Sequence, residues 1–256
     1  MATILKLDGV TKRFGGLVAV NNLSIDMHSR TIHSLIGPNG SGKSTTTNMI
    51  TGTYPVSEGR IFHGDTEITN KKAYEIARTG INRTFQNLKL YKSMTVTENL
   101  MAGMHMKMQQ SFASFLVNPR KTAREEKQML EKTYEILNFI GMYKLKDEYV
   151  NNISYGRQKM TELGRSLMTD PKLLFLDEPA AGLNPTERVE FVDILLKTFE
   201  SGIDLFLIEH NMDVVMNISH RITVINFGTK IAEGTAEEIQ NNDSVIEAYL
   251  GSKFRK

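Results

Sequence analysis

The chain has 256 residues, and its 31 basic and 29 acidic side chains leave a formal net charge of only +2, which gives no electrostatic reason to expect nucleic acid or an acidic membrane as a partner. Cysteine is absent, so disulfides, thiolate metal ligands and cysteine nucleophiles are excluded, as fits a reducing compartment. The first residues lack the apolar stretch of a signal peptide and no apolar run is long enough to cross a bilayer, so we expect a soluble chain that would serve a membrane only through a partner.

Strands dominate the predicted elements of the first part of the chain. Alternating apolar and polar residues predict half-buried strands over 3–14 and 17–28. "TIHSLIG" predicts a buried strand that runs into a glycine-rich loop, and residues 44–51 predict a helix that stops at Gly52. "GRIFHGDTEI" is typical of a hairpin with residues 64–65 in its turn.

The middle of the chain has a different composition. From about Leu88 to Met160 it is rich in methionine and charged residues, which favours a helical subdomain. Gly141 is placed to end one helix of this subdomain. The apolar stripe of that helix consists of Met129, Thr133, Ile136, Leu137 and Ile140.

Strands and helices alternate in the last part. "KLLFLDEP" and "DLFLIEH" have the near-continuous apolar character of parallel strands buried on both faces. Between them Asn184 is placed to cap a helix with Pro185 at its first position. "RITVINFGTKIAEG" predicts two closing strands, and Thr235 with Glu238 predicts a capping box for a last helix. This alternation predicts an α/β sheet with helices on both faces.

The glycine-rich loop carries the strongest chemical signal. It fits the phosphate-loop pattern and has the strand before it and the helix after it that the pattern requires. Its glycines let backbone amides approach phosphates, Lys43 neutralises charge, and the Ser44 hydroxyl is a natural Mg²⁺ ligand. The spacing disfavours a dinucleotide fingerprint. The predicted phosphate-binding residues are Gly37, Pro38, Asn39, Gly40, Ser41, Gly42, Lys43, Ser44 and Thr45.

Two carboxylates follow the strand of "KLLFLDEP". Phosphoryl transfer needs a ligand for Mg²⁺ and a group that orients the attacking water. We assign Asp177 to the metal and Glu178 to the water. The alternative is an acidic turn that only caps Pro179 and its neighbours.

Three further residues have both a functional and a structural interpretation. His210 closes a strand next to the acidic one and would reach the γ-phosphate, or it is structural. Gln86 lies where the sheet and the helical subdomain join. It either contacts Mg²⁺ or the water, or is a solvated loop residue. Phe14 precedes a Gly-Gly turn and either presents its ring to a base or is a core residue.

A second helix start, in "NNISYGRQKM", also suits phosphate. Ser154 is placed as its N-cap and Gly156 follows closely, and a helix N-terminus offers unpaired amides and a positive dipole end. Taken alone, this stretch is an ordinary capped helix.

Together these motifs resemble the ATP-binding subunits of ABC transporters over nearly the whole chain. The motifs are Phe14, "GPNGSGKST", Gln86, "ISYGRQ", "LLFLDEP", "AGLNP" and His210, in that order. The resemblance implies an α/β fold with a P-loop NTPase (RecA-like) core, an N-terminal antiparallel β subdomain and an inserted α-helical subdomain. It implies a single domain over 1–256, with a core at 1–87 and 161–240, a helical subdomain at about 88–160 and a C-terminal helix at 235–250.

The resemblance also implies ATP and Mg²⁺ as cofactors, with Ser44, Gln86 and Asp177 at the metal and Glu178, His210 and Gln86 in hydrolysis. Two cassettes would pair head to tail, so that Ser154 and Gly156 of one face the γ-phosphate held by the other. The common signature reads Leu-Ser-Gly-Gly-Gln, whereas here Tyr155 replaces the first glycine and arginine the first glutamine, and Gln158 follows as a further expected ligand.

The variant motifs look most like the larger ATPase chain of branched-chain amino acid importers. "YGRQ", "EPAAGLNP", "LIEHNMDVVM" and "IEAYLG" carry this likeness, with an insertion near 105–125. The implied partners are two transmembrane permeases, a second ABC ATPase chain (the same or different) and an extracytoplasmic binding protein acting through the permeases, without nucleic acid. The implied location is the cytoplasmic face of the inner membrane.

Other functions remain open at this point. A lipopolysaccharide-type exporter shares the "AG-hydrophobic-x-P" loop, and a soluble ABC ATPase acting on DNA or ribosomes would commonly have two cassettes or a coiled-coil arm. A GTPase lacks support because no Asn-Lys-x-Asp follows a late strand. Residues 88–94 are expected to form part of a groove for a permease helix, while Met101, Met104 and Met108 suit either core packing or that groove.

Overall fold

The computed structural model describes residues 2–84, 88–104 and 119–250. The chain forms two compact units. The first consists of Met1–Arg83, Lys172–Ala181 and Leu195–Lys256, and the second of Thr84–Pro171 and Gly182–Ile194.

The described strands are β1 (Thr3–Phe14), β2 (Leu17–His28), β3 (Ile32–Ile36), β4 (Glu58–His63), β5 (Thr66–Glu67), β6 (Ile81–Arg83), β7 (Leu173–Asp177), β8 (Asp204–Ile208), β9 (Arg221–Asn226) and β10 (Thr229–Gly234). The described helices are α1 (Lys43–Ile50), α2 (Ala73–Arg78), α3 (Val96–Ala102), α4 (Pro119–Phe139), α5 (Tyr155–Leu167), α6 (Pro185–Glu200), α7 (Met212–Ile218), α8 (Ala236–Gln240) and α9 (Asp243–Leu250). Short 3₁₀ turns lie at Tyr143–Leu145 and Val150–Asn152.

The first unit contains an antiparallel sheet in the order β2-β1-β4-β5. Its first two strands have the predicted bounds, and the predicted hairpin is confirmed because Phe62 pairs with Glu67 and His63 with Thr66. Alternation places Leu5 and Leu7 in the core at 0% and 1% exposure. Burying an aliphatic side chain of this size stabilises a fold by about 1.5–3 kcal/mol, so the apolar face fixes the register.

A second, mixed sheet in the same unit has the order β10-β9-β3-β8-β7-β6. β3 is parallel to both β8 and β9, and β7 is parallel to both β8 and β6, whereas β10 runs antiparallel to β9. β3, β7 and β8 are buried along their full length, as their apolar sequences predicted. This arrangement confirms the α/β class and brings the carboxyl ends of β3, β7 and β8 to one edge of the sheet.

The second unit is helical in its described part. Four of the five predicted stripe residues are buried: Met129, Thr133 and Leu137 in α4, and Ile140 directly after it. Gly141 has φ +70°, which ends α4 as predicted. A Cβ at Gly164 would lie 2.6 Å from the Ile140 side chain and 3.2 Å from Leu100, so this glycine permits the close approach of α5 to its neighbours. This unit contains all of α5. The subdomain boundary predicted between residues 160 and 161 would divide this helix.

The predicted single helix at 235–250 is wrong in one respect. The capping box of Thr235 and Glu238 is present, but α8 ends at Gln240 and a new helix, α9, begins at Asp243. Asn242 interrupts the run because its side chain accepts a hydrogen bond of 3.2 Å from the amide of Val245. Across the part of the chain that the structure describes, no helix combines the length and apolar character needed to cross a membrane.

Candidate functional site

The phosphate loop lies between β3 and α1 and is closed by its own lysine. Lys43 Nζ donates hydrogen bonds to the carbonyl oxygens of Gly37 at 2.7 Å and Pro38 at 2.9 Å. Gly40 and Gly42 have φ values of +77° and +107°, which residues other than glycine rarely adopt. Gly42 is the N-cap of α1, with no side-chain hydrogen bond to the helix. The backbone amides of this helix start therefore remain available to an anion.

The turn between β9 and β10 braces the phosphate loop. The amide of Gly228 donates to the carbonyl oxygen of Ser41 at 2.9 Å, and the amide of Asn21 donates to Gly228 at 2.8 Å. A Cβ at Gly37 would lie 2.0 Å from the carbonyl oxygen of Ile225. Glycine is thus required at this point by packing as well as by phosphate approach. Asn39 and Gly40 line a cavity of about 450 Å³ on this side of the loop, together with residues of α9.

The acidic residues at the end of β7 act electrostatically on this loop. Burial lowers the pKa of Lys43, and the nearby carboxylates of Glu178 and Asp177 act in the opposite direction. The phosphate loop and the acidic strand end are therefore close enough to interact electrostatically. Ser44 is exposed and Thr45 half-buried in the first turn of α1.

Asp177 has an ion-pair partner that the sequence did not reveal. Its Oδ2 atom lies 2.7 Å from Arg83 Nη2, and the two side chains are only 5% and 12% exposed. Arg83 Nη1 also donates to Asn48 Oδ1 at 2.6 Å, which links the acid to α1. An arginine in a short strand gives no sequence signal of this role, because its partner lies far away in the chain.

Glu178 and His210 are brought together at the ends of neighbouring parallel strands. His210 Nδ1 lies 3.5 Å from Glu178 Oε1. Glu178 has φ +49°, an uncommon backbone conformation for a residue other than glycine. Its amide donates to the carbonyl oxygen of Ile208 at 2.8 Å. Strained residues of this kind cluster at active sites.

Phe14 is at the surface of the first unit and is not a core residue. The residue is 42% exposed. It packs edge-on against Tyr54 at a centroid distance of 5.4 Å, and Lys12 Nζ lies 4.8 Å from its centroid. An exposed ring held by two neighbours is suited to stack with a base.

The second helix start is capped from within its own unit. Ser154 is the N-cap of α5 as predicted, and its Oγ accepts a hydrogen bond of 3.4 Å from the amide of Arg157. The same hydroxyl donates to Glu187 Oε1 at 3.0 Å. A Cβ at Gly156 would lie 2.6 Å from that carboxylate, so a carboxylate occupies the space beside the helix start.

Tyr155, one of the unusual signature residues, and Gln158 both have structural partners. A Cβ at Gly182 would lie 2.9 Å from the ring of Tyr155, so the tyrosine packs against this loop. Gln158 Nε2 donates to the carbonyl oxygen of Ile153 at 3.1 Å, which steadies the segment before Ser154. Gln86 and Met108 lie outside the described residues.

Comparisons with known proteins agree with this geometry. Residues 20–181 match the family described as ABC transporter, and residues 229–255 match the family described as branched-chain amino acid ATP-binding cassette transporter. The chain is 41% identical to the high-affinity branched-chain amino acid transport ATP-binding protein LivG of Escherichia coli (strain K12), covering 97% of this chain and 98% of the relative. It is 40% identical to BraF of Pseudomonas aeruginosa, a protein of the same description, with the same coverage.

Solved structures show the same fold. A nucleotide-free ATP-binding cassette from an ABC transporter is similar with a TM-score of 0.85 and 37% identity, covering 98% of this chain and 100% of the other. The ADP conformation of an ATP-binding cassette of an ABC transporter is similar with a TM-score of 0.86 and 36% identity, at the same coverage.

Proposed function

The chain belongs to the ABC transporter family, and on that premise we propose that it is the ATP-binding and ATP-hydrolysing subunit of an importer of branched-chain amino acids. The observation that carries the substrate class is the likeness to LivG and BraF along nearly the whole chain, including the specialised segment at 229–255. The observation that carries the chemistry is the convergence of the carboxyl ends of β3, β7 and β8 at one sheet edge, where Glu178 lies 3.5 Å from His210.

The phosphates of ATP bind at the start of α1. Residues 37–45 supply backbone amides, Lys43 supplies positive charge, and Phe14 stacks on the base. To bind a γ-phosphate, the Lys43 ammonium exchanges at least one of its two carbonyl contacts for a phosphate oxygen. The loop is therefore held in shape by the same group that will receive the ligand.

Mg²⁺ is the second expected cofactor. In nucleotide sites this ion takes one or two protein oxygens and completes its shell with phosphate and water oxygens. The Ser44 hydroxyl and the Asp177 carboxylate are oxygens of this kind, and Gln86 is a third candidate from the sequence. A bound Mg²⁺ would neutralise charge that develops on the phosphates. Arg83 keeps Asp177 oriented in this role.

Glu178 orients the water that attacks the γ-phosphate. The water oxygen bonds to the γ-phosphorus and loses a proton to the Glu178 carboxylate, while the bond from phosphorus to the β–γ bridging oxygen breaks and ADP leaves. His210, 3.5 Å from Glu178, is placed to hold the same group of atoms. Ser154, Gly156 and Gln158 bind the γ-phosphate of a second cassette, so that ATP joins two chains.

The partners follow from the transporter function. We propose two permeases in the membrane, a second ABC ATPase chain and an extracytoplasmic binding protein that acts through the permeases. This places the chain at the cytoplasmic face of the cell membrane. Residues 88–94 contribute to the permease contact, and Tyr91, 53% exposed, is available for it.

The test is Glu178→Gln in the complex isolated through a tag on this chain. ATP binding should survive, and hydrolysis should fall by several orders of magnitude because the water loses its orienting carboxylate. Uptake of leucine by cells that carry the variant should stop. Glu67→Gln, at an exposed site in β5, is the matched control and should change neither rate. Normal hydrolysis by the Glu178 variant would refute the assignment.

A further inference from the structure

A buried carboxylate that is absent from the predicted site joins two of its loops. Glu209 directly follows β8 and is 1% exposed. Its Oε1 atom accepts a hydrogen bond of 2.8 Å from the amide of Ala180. Its Oε2 atom accepts from the amides of His210 at 3.1 Å and Asn211 at 3.2 Å.

The first of these loops is fixed without Glu209. Glu178 donates its amide to Ile208 at 2.8 Å, and its carbonyl oxygen accepts from the amide of Ala181 at 3.1 Å. The turn after β7 therefore extends the pairing of the two parallel strands by one residue. It offers the amide of Ala180 as an anchor point.

The second loop carries His210 and has less support. The side chain of His210 is 57% exposed, so packing does little to hold it. The following residue, Asn211, caps α7 by accepting from the amide of Val214 at 3.2 Å. Glu209 ties the two amides at the start of this loop to the anchored turn.

The chemistry of the contact requires a carboxylate. Three amide donors converge on two oxygens, one on the anchored turn and two on the histidine loop. Glutamine has a single acceptor oxygen and would direct its own N–H₂ group at one of the loops. A shorter side chain would reach the neighbouring amides but not Ala180.

We propose that Glu209 is a positioning residue that holds His210 against Glu178 and thereby sets the rate of ATP hydrolysis. This inference rests on the proposed function, in which His210 acts at the γ-phosphate. A misplacement of about 1 Å in a reacting group can cost a hundredfold in rate. Glu209 is expected to affect turnover and to leave ATP affinity nearly unchanged.

The first measurement uses Glu209→Gln in the complex isolated through a tag on this chain. The expected kcat falls about tenfold to a hundredfold, while KM for ATP stays within about twofold. The matched control is Glu238→Gln, which removes a carboxylate that accepts from the amide of Thr235 at 2.7 Å outside the site. The control should keep its kcat. A parallel loss of kcat, ATP affinity and melting temperature in Glu209→Gln would indicate a merely structural role and overturn the proposal.

Glu209→Asp tests the length of the side chain separately from its charge. It keeps the carboxylate but is one methylene shorter, so it cannot serve both loops at once. Its kcat is expected to fall as far as that of Glu209→Gln. A wild-type kcat in Glu209→Asp would show that the link to Ala180 is unimportant.

A double-mutant cycle identifies the residue through which Glu209 acts. In a His210→Ala background, adding Glu209→Gln should lower kcat by less than about twofold more, because the positioned group is already gone. Losses that multiply would overturn the proposal. Wild-type turnover in both His210→Ala and Glu178→Gln would instead contradict the proposed function. If those two are impaired and Glu209→Gln is not, only the present inference fails.

Discussion

The starts of α1 and α5 both suit phosphate but are built in different ways. α1 begins after Gly42, which has φ +107° and makes no side-chain hydrogen bond to the helix. α5 begins after Ser154, whose hydroxyl both caps the helix and donates to Glu187. Neither helix has an acidic residue in its own first turn. One helix start is open to an external anion, while the other already has an anion from its own unit.

This difference assigns different energetic roles to the two sites. Phosphate that arrives at α1 meets free amides and a lysine, so binding needs only the release of at least one of the two carbonyl contacts of Lys43. Phosphate that arrives at α5 must displace the carboxylate of Glu187. We therefore expect tight binding of ATP by α1 in a single chain, and a weaker contact at α5 that forms only when a second chain presents its nucleotide.

The largest effect is expected when the cation at the start of α1, the open site, is removed. Lys43→Ala should weaken ATP binding on the order of a hundredfold, because a charged hydrogen-bonding partner of the phosphates is lost. Titration of the purified chain with a fluorescent ATP analogue measures this. Lys6→Ala, at an exposed position in β1, is the control and should bind normally. Equal affinity in the two variants would contradict the assignment of the loop.

The next test gives the open site a built-in anion. Thr45→Glu places a carboxylate in the first turn of α1, where it should stabilise the helix by about 0.3–1 kcal/mol and weaken ATP binding about tenfold compared with Thr45→Gln. Denaturant unfolding and nucleotide titration measure the two quantities. A shift of both in the same direction would show that the helix start does not receive the phosphate.

Removing the cap of the closed site should have a smaller effect. Ser154→Ala should lower the free energy of unfolding by about 1 kcal/mol, because the amide of Arg157 loses its acceptor. ATP binding by the single chain should stay normal, while ATP-dependent association of two chains weakens. Sedimentation with and without ATP checks the association. Loss of ATP binding by the isolated variant would mean that Ser154 serves its own chain.

The smallest expected effect concerns the built-in anion itself. Glu187→Gln removes the charge but keeps an acceptor for the Ser154 hydroxyl, so ATP-dependent association should tighten a few-fold. Glu190→Gln is the matched control, because Glu190 pairs at 3.1 Å with Arg157 on the same face and is exposed. Weaker association in Glu187→Gln than in the control would show that Glu187 supports the contact.

Local patterns predicted the parts of the fold that depend on local physics. The alternation in β1 and β2, the glycines around Lys43 and the cap at Ser154 each act within a few residues, and each is present in the structure. The break between α8 and α9 was missed although Asn242 is a good N-cap, because the capping box of Thr235 and Glu238 indicated only where a last helix begins.

Contacts between distant residues could not be read in this way. Arg83 and Asp177 are adjacent only because β6 and β7 pair, and Glu209 meets Ala180 only because β7 and β8 do. A charged residue at the end of an apolar strand signals that a partner exists, but the sheet order decides which one. The carboxylate of Glu187 beside Gly156 belongs to the same class of contact.

The brace between the β9–β10 turn and the phosphate loop limits how this protein can be recombined with its relatives. Gly228 is hydrogen-bonded through its backbone to Ser41 and to Asn21, and Gly37 has no room for a methyl group beside Ile225. A hybrid in which the tail comes from another transporter must therefore inherit its turn and its phosphate loop from one parent. Grafts that join before Ile225 would separate the two halves of this fit, whereas grafts that join after the turn at 226–229 preserve it.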